Sequence, residues 1–305
     1  MAKGNLWIGL IAAVIIYFAM MVYGDHEKVL AAISSFSLEY IPMLLSLAFT
    51  NYLLRASKWH YFFKVLGLEI SFKENFYIFL SGLLMAVTPG KFGEVWKSWL
   101  VRDLRGYDLH RTVPIVFMDR ITDVVAMLTL ASFGVLVFRD SILSFSLVVA
   151  VLLIMLIMLR SEAIMLMIFG ISVRFEGARK AYLSSLNLLH WRVFILAVLI
   201  SLVAWFMECL AFYLTFRGLS VKAGLFESTF VYAISSVAGA LTMLPGGIGV
   251  TETSMLGLSS HLLDIGKSVA IAATFIIRVV TLWFAVVVGA ISYILGRRLI
   301  YQKLV

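Results

Sequence analysis

Charge is scarce in this sequence: Asp, Glu, Lys and Arg supply 14% of its 305 residues, against about a quarter in a soluble domain. Such a chain cannot cover a water-facing globule with solvated side chains, which excludes soluble enzymes and soluble binding modules. Proline is scarce too, with four residues, and the 21 glycines are scattered rather than clustered. No linker is therefore legible, and residues 1–305 read as a single transmembrane domain. The longest polar stretch, about residues 172–191, is too short to enclose a core of its own. The one cysteine, Cys209, excludes an internal disulfide. Five histidines (His26, His60, His110, His190, His261) are dispersed, none at metal-ligand spacing. Gly266-Lys267-Ser268 ends like a phosphate-binding loop, but His261 stands where that loop needs glycine. With no nucleotide-hydrolysis motif and no Ser/His/Asp elbow, no catalytic residue, metal ligand or cofactor is assigned.

What the sequence does have is apolar length. Hydrophobic residues make up 62% of it and the mean hydropathy is +1.02. A helix needs about 20 apolar residues to cross the ~30 Å hydrocarbon core. Six segments meet that demand: Leu6–Tyr23, Tyr40–Val65, Val113–Phe138, Ser141–Leu159, Val193–Phe216 and Ser268–Leu295. The first, following Lys3, resembles a secretion signal, but no small-residue cleavage site follows, so it is read as a retained helix. Pro42 and Pro114 fall near the starts of two segments, where a missing N–H costs little.

Two further apolar regions are interrupted. Phe76–Leu100 is broken by Thr88-Pro89-Gly90-Lys91-Phe92-Gly93-Glu94, and Leu225–Leu263 by Leu244-Pro245-Gly246-Gly247-Ile248-Gly249-Val250-Thr251-Glu252. Proline with two or three glycines ends a helix in mid-run. Such breaks suit re-entrant helix pairs, because non-helical backbone inside a bilayer needs protein or a wet cavity around it. Ordinary kinked spans are the alternative. The expected fold is an all-α polytopic membrane protein of about six full spans plus two re-entrant hairpins.

The formal charge of +8 could suggest a nucleic-acid partner, but the basic residues sit in short loops between spans, so none is expected. With both termini cytoplasmic, inner segments receive 16 Lys and Arg, Lys58, Lys64 and Lys97 among them, and outer segments five. Four more (Arg55, Lys91, Arg120, Arg278) stay in the apolar zone. This bias fits a multi-pass protein of the cytoplasmic membrane. The halves also correspond. Arg55, Pro89 and Arg120 recur in outline as Glu208, Pro245 and Arg278, giving repeat units of about 40–138 and 193–296. Under the same topology the second unit is the first upside down, an arrangement common in transporters. Chance alignment is the rival explanation.

Ionisable groups at the bilayer centre cost about 2.5–3.5 kcal/mol each even on insertion scales. Arg55, Lys91, Glu94, Asp119, Arg120, Asp123, Glu208, Glu252 and Arg278 nevertheless occupy apolar runs. They could simply pair and pin helices together. Three arginines also suit an anionic ligand, because their planar forks match phosphate oxygens. The half-helices beginning at Lys91 and near Thr251 would add N–H groups and positive dipole ends, and Thr88, Thr251 and Thr253 would add hydroxyls. The expected result is a small polar chamber for a phospholipid or polyprenyl-phosphate headgroup.

These motifs resemble a known family. Asn51 with Arg55, Lys58 and Trp59, the Thr88-Pro89-Gly90-Lys91 and Glu94 run, Asp119-Arg120 with Asp123, and Pro245-Gly246-Gly247 with Gly249 and Glu252 look like the membrane region of bacterial lysylphosphatidylglycerol synthases. That region also occurs alone in flippase-like proteins, and the resemblance covers about residues 5–300. It implies movement of a lipid between leaflets through two re-entrant hairpins, without aminoacyl transfer, which belongs to a separate soluble domain. The candidate substrate-binding set is Asn51, Arg55, Thr88, Pro89, Gly90, Lys91, Glu94, Asp119, Arg120, Asp123, Glu208, Pro245, Gly246, Gly247, Gly249, Thr251, Glu252 and Arg278. The expected partner is a membrane lipid or lipid-linked sugar, with a glycosyltransferase or lipid synthase as a further candidate. Two rival functions remain: a membrane-embedded transferase using Glu94, Asp119 or Asp123 as base, and a non-catalytic subunit of a glycan or lipid assembly enzyme.

Overall fold

The computed structural model describes residues 2–88, 92–135, 150, 154, 157, 161–172, 175–242 and 244–301, with no strand among them. Helix α1 (Ala2–Tyr23) leads into a short α2 (His26–Ser34) and then α3 (Ile41–Val65), with Pro42 in its first turn as expected. α2 and the segment Leu38–Val65 meet at a bend of 66°. Helix α4 (Phe72–Leu83) starts at a capping box. Ser71 Oγ accepts from the Glu74 N–H at 3.3 Å, and Glu74 Oε2 accepts from the Ser71 N–H at 3.0 Å. A 3₁₀ turn (Leu84–Val87) ends it, and α5 (Phe92–Arg105) begins beyond the break. Arg105 donates to Glu74 at 2.5 Å, so the ends of α4 and α5 away from the break are pinned side by side as a hairpin.

Helix α6 runs from Leu109 to Val135 and starts earlier than the hydropathy suggested, because its first turn is polar. Pro114 consequently lies inside the helix rather than at its start. The expected span Ser141–Leu159 falls almost wholly outside the described residues. An apolar helix α7 (Glu162–Ser172) precedes the polar stretch, which is itself helical over α8 (Phe175–Leu188). Next come α9 (Trp191–Gly218), α10 (Leu225–Leu241), a 3₁₀ turn at Pro245–Gly247 and α11 (Val250–Leu262). Gly246, Gly247 and Gly249 have φ of 58°, 66° and 97°. These values suit glycine and explain why the second break is glycine-rich. The chain closes with α12 (Lys267–Arg278), a five-residue π turn (Val279–Trp283) and α13 (Phe284–Tyr301).

Among the described residues, α9 and the joined α12–α13 (through Gly296) are long and apolar enough to cross a membrane unaided, and the bent α2–α3 pair makes a third. Two apolar cores hold the bundle. One is built mainly from α3–α6 around Trp59, Phe63, Phe79 and Ile115, the other mainly from α9–α12 around Phe212, Phe216, Val231 and Ile271. The two halves meet where α3 and α6 pack on α9 and α6 packs on α10. The intramembrane charges collect at that seam.

Candidate functional site

Lys58 is the centre of the first charge cluster. It was expected in an inner loop, yet it is completely buried. Its Nζ lies 2.8 Å from Asp119 Oδ1 and 2.7 Å from Asp123 Oδ1, and it donates to Ser201 Oγ at 2.7 Å. Ser201 Oγ in turn donates to Asp123 Oδ1 at 3.0 Å. One ammonium thus joins α3, α6 and α9. The reason is helical spacing: Lys58 follows Arg55 by three residues and shares its face. Lys97, also assigned to an inner loop, is buried with its Nζ 4.4 Å from the centre of the Trp59 ring. Without these two, the expected inner segments keep 14 basic residues against five outside, so the charge bias survives.

Arginines sit around the same carboxylates. Arg55 approaches Asp123 Oδ2 at 3.1 Å and Asp119 Oδ2 at 3.7 Å, and its guanidinium lies 5.2 Å from the centre of the Trp205 ring. Arg120 approaches Asp119 Oδ2 at 3.1 Å and keeps 29% of its side chain exposed. Opposite charges at these distances offset part of the desolvation cost of each ion.

A second cluster fixes the second break. Arg278 donates from Nε to Glu252 Oε1 at 2.6 Å and from Nη2 to the Gly246 carbonyl at 2.7 Å. The other carboxylate oxygen of Glu252 accepts from the Gly249 N–H at 2.7 Å. This corrects one expectation: the start of α11 already carries its own anion, so its dipole is matched from within. Glu208 on α9 accepts from Tyr232 of α10 at 2.5 Å.

Both clusters border one cavity of about 230 Å³, the room of roughly seven or eight waters. Of the expected residues, Arg55, Arg120, Asp123, Glu208, Gly246, Gly247, Thr251 and Arg278 line it. Met85 and Ala86, just before the first break, line it too. Asp119 and Glu252 stand behind as counter-ions, and Pro245 is buried in the turn. Asn51 instead ties helices, donating to the Ala204 carbonyl at 2.8 Å. The Thr88 hydroxyl is spent on the Met85 carbonyl at 2.7 Å. Thr253 is exposed and bonded to the Gly249 carbonyl, away from the cavity, which corrects its expected role as a donor there. Pro89, Gly90 and Lys91 lie outside the described residues, as does the side chain of Glu94. Sequence reasoning named Lys58 in a motif but left it out of the site, and missed Lys97, Tyr52, Trp205 and Tyr232. For Lys58 the i,i+3 spacing was an available signal, whereas aromatic residues in an apolar chain carry none. Among the described residues no cluster of three His, Cys, Asp or Glu could hold a metal ion.

Residues 6–289 match the family described as the lysylphosphatidylglycerol synthase TM region. A UPF0104 membrane protein of Methanocaldococcus jannaschii is 23% identical, with 96% of both chains covered. A second from that organism is 24% identical over 72% of this chain and 96% of its own length. A UPF0104 membrane protein of Methanothermobacter thermautotrophicus is 31% identical over 30% of this chain and 28% of its own.

Proposed function

Because the chain belongs to the lysylphosphatidylglycerol synthase transmembrane-region family, we propose that it is a lipid translocase, moving an anionic phospholipid or a polyprenyl-phosphate-linked lipid between leaflets by alternating access. The observation that carries this reading is the cavity. Arg55 and Arg120 from the first half and Arg278 from the second line one cavity with otherwise largely apolar walls, together with backbone of the second break. Arginines held by carboxylates can exchange partners, so an entering phosphate replaces an internal anion instead of meeting bare charge. Trp205 and Tyr232 close the space with apolar bodies and polar tips. The hydrocarbon chains of the lipid stay in the bilayer. The two broken helix pairs act as inverted re-entrant hairpins, with both termini on the cytoplasmic side of the cell membrane.

The test is transport in phosphatidylcholine vesicles doped with phosphatidylglycerol fluorescent in its chain and read with an impermeant quencher. Vesicles holding the protein should lose label from both leaflets, and protein-free vesicles from one. Ser236, which borders the cavity, offers a cleaner block than Gly247, where positive φ and contact with Gly239 backbone would strain any side chain. Ser236→Phe should stop movement in folded protein. Equal rates with and without protein would overturn the reading. Arg120→Ala should weaken retention of phosphatidylglycerol by about 1.5–3 kcal/mol, with Arg120→Lys recovering part.

Orientation is tested separately. Cys209 is buried, so cysteines introduced at the exposed Asp103 and Lys222 can be labelled cleanly. They should react from opposite faces, and labelling from one face would end the inverted arrangement.

A further inference from the structure

A second opening, of about 650 Å³, lies along the side of the bundle between α1 and α11. Its walls are largely apolar: Ile16 and Met20 from α1, and Ile248, Val250 and Leu256 from the second break and α11. At one end stands Leu244, which also lines the central cavity. At the other stand Tyr23 and Lys267, with the Lys267 Nζ 4.9 Å from the centre of the Tyr23 ring. Ser268 Oγ donates to the Gly24 carbonyl at 2.6 Å and holds the start of α12 beside the end of α1. Lys267 is exposed, and no described carboxylate pairs with it.

We propose that this groove holds one hydrocarbon chain of an anionic lipid whose phosphate sits at Lys267, a station from which the lipid enters the cavity. The inference rests on the translocase reading and adds to it where the lipid lies before it moves. Length supports the assignment. The 13 residues of α11 span about 20 Å, enough to cover the ~15 Å depth of one leaflet's hydrocarbon. Polarity runs the right way, with a cation and an aromatic ring at the end where a headgroup rests and apolar side chains toward the middle. Continuity completes it, because the far end of the chain would reach Leu244 at the cavity wall. A scatter of loosely held surface lipid explains neither the cation at one end nor the shared residue at the other.

Gly257 lines the groove, and an added side chain there meets nothing within 4 Å. Gly257→Phe therefore starts a bulky side chain from open space at the groove wall, and removing a mid-helix glycine favours the helix. The probe is phosphatidylglycerol carrying a photoreactive group in its chain, in phosphatidylcholine nanodiscs with the full-length protein. Cross-links should concentrate on Ile16, Met20, Val250 and Leu256. Gly257→Phe should reduce them about tenfold, equivalent to about 1.4 kcal/mol of binding. Val203→Phe, on the exposed face of α9, should leave them unchanged. Lys267→Glu should abolish the preference for phosphatidylglycerol over phosphatidylcholine carrying the same group. Cross-links spread evenly over Leu199, Val203 and the other exposed faces, or undiminished in Gly257→Phe, would overturn the assignment. Groove cross-links in a protein that moves no lipid would support the station while removing the translocase.

Discussion

The clusters around Lys58 and Arg278 answer the same problem, charge inside an apolar bundle, in different ways. Lys58, on α3, binds partners on two other helices, α6 and α9: two carboxylates, the Thr122 and Ser201 hydroxyls, and the Asp119 carbonyl. Arg278 binds one carboxylate and one backbone carbonyl, and both belong to the second break and the helix it starts. The first arrangement holds helices to one another. The second holds a stretch of non-helical backbone in shape. A charge that joins rigid elements is woven into global stability, whereas one that supports a turn governs local opening.

The largest effect that tests this contrast is expected from Lys58→Met. It leaves Asp119 and Asp123 short of their shared cation at full burial, which costs about 3–5 kcal/mol. Thermal unfolding in detergent should show a large fall, and Lys58→Met with Asp123→Asn should recover part of it. Arg278→Met should cost less, about 2–3 kcal/mol, as Glu252 and the Gly246 carbonyl lose their donor. Hydrogen exchange should quicken at residues 244–252 before it does elsewhere. Equal, global destabilisation by both variants would erase the distinction. The smallest effect belongs to Asn51→Leu. It removes one bond to the Ala204 carbonyl, but Asn51 Oδ1 has no partner among the described residues. The net change should stay within about 1 kcal/mol. A larger loss would make Asn51 a third anchor and widen the side-chain class.

The legible parts of the fold and the site are those where residue type conflicts with surroundings. Arg55, Asp119, Arg120, Asp123, Glu208 and Arg278 stand out because each interrupts an apolar run. The second break stands out because Pro245 and three glycines cannot continue a helix. Lys58 escaped because Ser57 and His60 flank it at the polar end of its run, where a lysine normally marks a loop. The early start of α6 escaped because its first turn, with His110 and Arg111, is polar although helical. The bend after α2 and the aromatic lining at Trp205 and Tyr232 depend on how helices meet, and hydropathy along one strand of sequence does not encode that. Thr253 was misassigned for the same reason, since only the packing of α11 decides which threonine turns inward.

The π turn at Val279–Trp283 acts as a phase adjuster. A π turn carries one residue more than α-helical winding needs, and each residue is worth about 100° of rotation. The turn therefore dials α13 about its axis relative to α12. Tyr52 seals the adjustment by donating to the Thr281 carbonyl at 2.7 Å. On one side of this dial Arg278 faces the cavity, and on the other Gly289 meets the backbone of Leu83 and Leu84. Deleting a single residue from the turn would restore plain winding, and α13 would then present a neighbouring, bulkier position to that backbone. The two ends of one continuous helix are thereby set independently, one to bind charge and the other to seat the approach to the first break.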